Sequence, residues 1–288
     1  MNGIVIVDNP EGWTSQDVTA RLRRVFNTRR IGHGGTLDPM ATGVLPVFVG
    51  RGTRGVTFFE QADKVYETVL RLGVTTDTED ITGTVLSQCD YTLTETALDA
   101  VLPQFRGEIL QTPPMYSALK VGGQKLCDLA RKGKTVERTP RPITIFELTV
   151  LSFTEHTVHL RVRCSKGTYI RTLCKDIGEA LGCGGCMESL RRVAAGEYTV
   201  DEAVSLSTLL ETETPEKYLR SVDTMFAAHP ALTLTPKQEQ RCRNGNSFSI
   251  NLPDGTYRAY SQDGEFLALS KAESGVMSTI RSFFEVEQ

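Results

Sequence analysis

Gly32-His33-Gly34-Gly35-Thr36-Leu37-Asp38-Pro39-Met40-Ala41-Thr42-Gly43 is the stretch on which the reading of this chain turns. Its twelve residues hold four glycines, one of the four histidines and a single carboxylate, and Asp38 is the only acid between Asp17 and Glu60. Glycines at this density let the backbone take positive φ and approach another chain closely. Pro39 biases Asp38 toward an extended conformation, so the carboxylate is expected on a loop or strand end. Taken alone, the stretch reads more as a glycine-rich turn whose aspartate bonds its own backbone than as a site.

Working outward, residues 3–7 are an apolar run that reads as a short buried strand, closed by the Asp8-Asn9-Pro10-Glu11-Gly12 turn. Thr14 with Asp17 three residues on predicts a helix start, and Val18, Leu22, Val25 and Phe26 recur behind it at helical spacing. That helix carries Arg21, Arg23 and Arg24 toward the glycine-rich loop. Residues 44–50 read as another apolar strand, and residues 64–72 alternate as a half-buried strand with Tyr66 near its start. Residues 75–83 form a polar, acid-containing loop, and Thr94 caps a helix presenting Ala97, Leu98, Val101 and Leu102. Residues 143–153 and 158–164 read as adjacent strands, the second with Val158, Leu160, Val162 and Cys164 on one face. Lys166-Gly167-Thr168-Tyr169-Ile170-Arg171 then turns into a helix with Ile170, Leu173, Ile177 and Leu181 on its buried side. Arg171 falls in the first turn, where a cation opposes the helix dipole, and so calls for an anionic partner. Residues from Asp201 read as an acidic helix, and beyond Pro230 short β runs alternate with Asp-Gly turns as a separate small module.

A chain of 288 residues can bury a large core, and one large domain plus a small one is expected. Hydrophobic residues at 40% and charged residues at 23% exclude a disordered or fibrous class. No apolar run approaches the roughly 20 residues of a membrane span. The opening residues carry no secretion signal, so a cytoplasmic setting is expected. Seven irregularly spaced cysteines fit buried free thiols; Cys183 and Cys186 have the spacing of a metal pair, but no second pair completes a zinc site. The net charge of −3 excludes a generic polycation, yet the charge is uneven. Between residues 111 and 142, seven cations (Lys120, Lys125, Arg131, Lys132, Lys134, Arg138 and Arg141) face two acids, and Arg21, Arg23, Arg24, Arg29 and Arg30 form a second cluster. A basic face on an acidic chain is a local footprint for phosphate.

The loop Gly32 to Gly43, Lys64-Val65-Tyr66 and Lys166 to Arg171, together with Pro114-Met115-Tyr116-Ser117-Ala118-Leu119-Lys120 and Leu190-Arg191-Arg192, resemble in sequence order the bacterial TruB family of tRNA pseudouridine synthases. The likeness runs from about residue 3 to 200, with a weaker match in the tail. The family's usual Lys-Pro ahead of the first turn is Asn9-Pro10 here. The resemblance implies an α+β fold with a mixed, mainly antiparallel sheet over residues 1–229, carrying a basic RNA-gripping insertion at about 111–142. It implies a C-terminal PUA-like RNA-binding module over residues 230–288. The implied activity converts uridine to pseudouridine at position 55 in the T loop of tRNA, by a monomer using no cofactor, no metal and no obligatory protein partner. Asp38 matches the family's catalytic aspartate, Tyr66 its active-site tyrosine, and Arg171 the arginine paired with that aspartate. His33, Tyr169 and Leu190, with Tyr66, match positions that line the uridine pocket or hold the flipped base.

That isomerisation involves no redox change, and the sequence carries no dinucleotide fingerprint or P-loop. A carboxylate can attack and later leave, as in covalent glycosyl transfer. An adjacent guanidinium offsets the burial that would otherwise protonate it. Two other classes compete for the same residues. An RNA chaperone would use the basic segments but needs no lone carboxylate beside RNA. A carboxylate glycosidase or nuclease needs a second acid or metal ligands near Asp38.

Overall fold

The computed structural model describes residues 1–285, so the last three residues of the module expected at 230–288 lie outside the described ones. Strand β1 (Gly3–Asn9) opens the chain, with Ile4, Val5, Ile6 and Val7 at most 2% exposed. Helix α1 (Ser15–Val25) begins with a reciprocal cap: the Thr14 hydroxyl accepts from the Asp17 amide, and the Asp17 carboxylate accepts from the Thr14 amide. Val18, Leu22 and Phe26 are buried at helical spacing, which leaves Arg21, Arg23 and Arg24 exposed. Then come β2 (Ile31–His33), β3 (Ala41–Val49) and the single turn α2 (Val56–Phe59). Strand β4 (Lys64–Leu72) leads to a hairpin of β5 (Val74–Thr76) and β6 (Val85–Gln88), then α3 (Glu95–Val101), capped by Thr94, and β7 (Gly107–Gln111). The basic insertion is a small hairpin, β8 (Lys120–Val121) with β9 (Gln124–Lys125), running into α4 (Leu126–Ala130).

Strands β10 (Arg141–Phe153) and β11 (Thr157–Cys164), helix α5 (Ile170–Ala180), and strands β12 (Gly185–Ala195) and β13 (Tyr198–Thr199) follow. After β14 (Val204–Ser205) and α6 (Leu206–Glu211) the chain enters β15 (Ala231–Thr233), α7 (Pro236–Arg243), β16 (Phe248–Ser249), β17 (Gly255–Tyr260), β18 (Phe266–Glu273) and β19 (Val276–Ser282). These residues divide into two compact units, neither continuous in sequence. One takes Met1–Asp38, Leu45–Glu60 and the described part of Asp201–Gln288; the other takes Pro39–Val44 and Gln61–Val200.

In the second unit, β12 runs antiparallel to β4, β4 to β11, β11 to β10, and β10 to β7, while β12 lies parallel to the first residues of β3. The sheet is therefore mixed and mainly antiparallel, as expected. The period-2 pattern of β11 holds: Val158, Leu160, Val162 and Cys164 are at most 1% exposed. On the other face, Arg161 pairs with Glu67 at 3.0 Å, and Arg163 with Asp63 at 3.0 Å and Glu147 at 3.3 Å. Helix α5 buries Ile170, Leu173 and Ile177, but Leu181 is only half-buried because the helix ends one residue before it.

In the first unit, β1 lies between β14 and β3, with Val7 in parallel register with Val204. The acidic helix expected from Asp201 is broken: Val200–Glu202 form only a 3-10 turn, because Val204 and Ser205 are drawn into pairing with β1. Ser205 then caps the short α6. Residues beyond 230 form their own sheet, in the order β15-β17-β18-β19-β16, around Leu234, Phe248, Leu267, Met277 and Phe284. Helix α7 was not expected: it buries only Cys242, so no apolar period marks it, and a Thr235–Gln238 capping box with Pro236 starts it.

Candidate active site

The floor of the candidate site is built where β3, β12 and β4 lie side by side. Leu190 is in register with Ala41 and Thr68, and Arg192 with Gly43 and Tyr66. Residues opposite one another share a face, so Ala41, Gly43, Tyr66, Thr68, Leu190 and Arg192 line one side of the sheet. Tyr66 is half-buried and Leu190 buried. Arg192 is 1% exposed, and its Nε donates to the Val44 carbonyl at 2.7 Å. Thr68 Oγ1 donates to the Ser189 carbonyl at 2.7 Å and lies 3.8 Å from Cys174 Sγ, a thiol pushed up to about 12 by burial. Gly43 has φ +101°, and a Cβ there would lie 2.2 Å from the Arg192 carbonyl oxygen. Only glycine lets β3 run this close to β12.

Arg171 occupies the first turn of α5, and its side chain is 6% exposed. Its Nη1 donates to the Thr78 carbonyl at 3.0 Å and its Nη2 to the Tyr116 carbonyl at 2.8 Å. Its Nε lies 3.8 Å from Asp80 Oδ2, on a carboxylate 8% exposed. Within this unit, then, Asp80 is the anion that a cation against the helix dipole called for. Asp80 is held in turn: its Oδ1 accepts from Thr78 Oγ1 at 2.9 Å, the Thr82 amide at 3.0 Å and Thr82 Oγ1 at 2.5 Å. A buried pair is tolerated when its remaining hydrogen-bonding capacity is met, as here. Sequence reading passed over Asp80 as one acid in a polar loop. The signal was the hydroxyls at Thr76, Thr78 and Thr82, spaced evenly around it.

Tyr169, the residue before α5, has both backbone groups matched by Gln111, which is 2% exposed. The Tyr169 amide donates to Gln111 Oε1 at 2.8 Å, and Gln111 Nε2 donates to the Tyr169 carbonyl at 3.0 Å. Gln111 thus ties the end of β7 to the start of the helix that carries Arg171, a role no local pattern announces.

His33 and Asp38 belong to the first unit. His33 pairs in register with Val47, and Gln16 Nε2 donates to its Nε2 at 3.2 Å. The Leu37 amide donates to Ser15 Oγ at 2.9 Å with Leu37 buried, which fixes the chain immediately before the half-buried Asp38. Among the sequence-predicted residues, the second unit brings Tyr66 and Leu190 to one face and secures Tyr169 and Arg171 at the head of α5. In the basic insertion, Lys120, Lys125, Arg131, Lys132, Lys134 and Arg141 are exposed. Arg138 instead donates to the Pro113 carbonyl at 3.0 Å and serves the fold.

Comparison with known proteins defines the class as pseudouridylate synthase. Residues 23–170 match the TruB family pseudouridylate synthase N-terminal domain, and residues 171–225 match the tRNA pseudouridylate synthase B C-terminal domain. The chain belongs to the TruB family. It is 40% identical over 290 residues to tRNA pseudouridine synthase B of Francisella philomiragia, covering 99% of this chain and 95% of that protein. It is 37% identical to the same-named protein of Clostridium kluyveri, covering 98% and 100%. The fold is similar to that in the crystal structure of a Cbf5-Nop10-Gar1 complex, with a TM-score of 0.73 at 25% identity over 98% of this chain and 85% of that one. An H/ACA ribonucleoprotein bound to a substrate RNA containing 2′-deoxyuridine gives a TM-score of 0.73 at 23% identity, with the same coverage. The chain is a pseudouridine synthase. Among the described residues, no helix is long and apolar enough to cross a membrane, and no three His, Cys, Asp or Glu side chains are grouped to hold a metal ion.

Proposed function

We propose that this enzyme isomerises uridine to pseudouridine in tRNA, at position 55 of the T loop, with Asp38 as the nucleophile. The name shared by the full-length relatives supports the substrate class. The observation that carries the reading is the position of residues 41–43: three residues after Asp38, the chain joins the sheet face that bears Tyr66 and Leu190. In the reaction the bond from N1 to C1′ breaks, the base turns, C5 joins C1′, the C5 proton leaves and N1 gains a proton. Asp38 acts as a carboxylate whether it attacks C1′, attacks C6 or removes a proton on the way to a glycal, so it must stay ionised. Arg171 supplies the fixed positive charge and planar fork that favour this state. The Tyr66 ring stacks on the extruded base and its hydroxyl serves the C5 proton, directly or through water. His33, Tyr169 and Leu190 line the uridine pocket.

The exposed cations of the insertion and Arg21, Arg23, Arg24, Arg29 and Arg30 are suited to RNA phosphates, and the β15–β19 module to a PUA-like role in RNA binding. We read the enzyme as a cytoplasmic monomer acting on tRNA alone. The test is to incubate it with an unmodified tRNA transcript and map pseudouridine. A single product at position 55 is expected without any added cofactor, and Asp38→Asn forms none while binding tRNA nearly as well. Product at a different site refutes the T-loop reading; normal turnover by Asp38→Asn removes the nucleophile. Any assistance to tRNA folding coexists with catalysis and survives that substitution.

A further inference from the structure

We propose that Glu79 is a positioning residue: its side chain, held by Thr172 and Lys175, locks a left-handed turn that keeps Asp80 and Thr78 on Arg171. Glu79 has φ +64°, and the other non-glycine residues with positive φ among those described are Asn27 and Ser274. Asparagine tolerates that region, and Ser274 lies in the tight turn between β18 and β19. Glutamate has no such excuse, and a left-handed residue persists only when its surroundings over-determine it.

Those surroundings are specific. Glu79 Oε2 accepts from Thr172 Oγ1 at 2.6 Å, and Lys175 Nζ lies 3.7 Å from Glu79 Oε1, on a carboxylate 11% exposed. The turn is also stitched to β12 on both sides of Asp80. The Met187 amide donates to the Glu79 carbonyl at 3.0 Å, and the Ile81 amide to the Met187 carbonyl at 2.8 Å. Helix α5 therefore grips three successive residues of one turn. Arg171 takes the Thr78 carbonyl and the Asp80 carboxylate, while Thr172 and Lys175 take the Glu79 side chain. Met187 fixes where the turn runs and Arg171 holds the Thr78 carbonyl and Asp80, but what ties Glu79 itself to α5 is its own carboxylate. Without that tie the turn can relax to right-handed backbone, which rotates the Thr78 carbonyl and Asp80 away from the guanidinium.

This inference rests on the reading of Arg171 as the cation that serves the nucleophile. Its test separates strain from clamp. Glu79→Asn keeps a residue at ease with positive φ but is too short to reach Thr172; Glu79→Gln keeps the hydrogen bond and loses only the charge on Lys175. We expect Glu79→Asn to lower kcat about tenfold, the scale of a small misplacement of a catalytic group, with the Kd for tRNA and the melting temperature little changed. Glu79→Gln should stay within a few-fold of wild type. Thr172→Val removes the donor from the helix side and should match Glu79→Asn, and combining the two should add nothing further. The nitrogen resonance of Arg171 Nε, recorded without RNA, should shift in Glu79→Asn and Thr172→Val but not in Glu79→Gln. An unshifted Arg171 signal with wild-type kcat overturns the inference, as does Glu79→Gln failing as badly as Glu79→Asn, or a loss confined to Kd. If the Arg171 signal moves as expected but the wild-type protein makes no pseudouridine in the T loop, the proposed function fails and the clamp stands.

Discussion

Replacing Gly43 with alanine adds one methyl group where β3 meets β12. An ideal Cβ there would lie 2.2 Å from the Arg192 carbonyl oxygen and 2.9 Å from both the Arg192 carbonyl carbon and amide nitrogen. All three are backbone atoms of a paired strand, so no side-chain rotation relieves the clash. Alanine at φ +101° adds backbone strain of about 1–2 kcal/mol. Overpacking at a site that cannot yield costs about 1–3 kcal/mol more. The sum, roughly 2–5 kcal/mol, should lower the melting temperature by about 3–8 °C for a chain of this size. The relief available is to spread β3 from β12, which disturbs the register of Leu190 with Ala41. Thermal unfolding followed by circular dichroism measures the first effect; pseudouridine formation well below both melting temperatures measures the second. A melting temperature within about 2 °C of wild type would refute the packing argument. Lost activity at wild-type stability would mean that Gly43 is needed for the approach of RNA and not for that of β12.

Arg171→Lys should lower kcat sharply and destabilise the fold by about 1–3 kcal/mol, because one ammonium cannot serve the Thr78 and Tyr116 carbonyls and Asp80 together. Wild-type turnover and melting temperature in that variant would remove the argument. Neutralising Lys132 and Lys134, both exposed, should weaken tRNA binding and reduce the slope of log Kd against log salt by about 1–2. An unchanged slope would count against the insertion as a phosphate grip. Burial raises the Asp176 carboxyl from 3.8 to about 6. Between those values the folded chain keeps a proton that the unfolded chain releases, so stability contributed by this group falls as pH rises through the window. Asp176→Asn should flatten that fall in a series of melting temperatures, and parallel curves for the two proteins would exclude Asp176 as its cause.

What could be read from the sequence was what is governed locally. Strand β11 announced itself because its apolar residues alternate, and α1 because its cap and stripe both lie within a few turns. Helix α7 carried no such stripe, and β14 was hidden because its pairing with β1 is decided nearly two hundred residues away. The site divides in the same way. Asp38 stood out as a lone acid among glycines, and Arg171 as a cation in the wrong turn of a helix, while Tyr66 by pattern alone is an ordinary strand aromatic. Gln111 and Glu79 could not be found, because what distinguishes them is a partner on α5 or at its start, and Asp80 was marked only by the threonines on either side of it. Arg138 was counted with the phosphate-binding cations because composition does not distinguish a guanidinium facing water from one bonded to Pro113.

The wide separation of β1 from β14 bears on how the protein is made. Translation at about 5–20 residues per second leaves roughly 10–40 s between the emergence of β1 and that of β14. During that interval Gly3–Asn9, whose Ile4, Val5, Ile6 and Val7 are almost wholly buried in the finished fold, has one edge without its final neighbour. A short strand whose centre, Ile4 to Val7, is uncharged and β-branched is, with an open edge, a template for pairing with another nascent chain. Ribosome stalling late in the message, or loss of the segment that starts at Asp201, would therefore yield a sticky product and not a smaller working enzyme. Fragments ending near residue 200 should collect in the insoluble fraction.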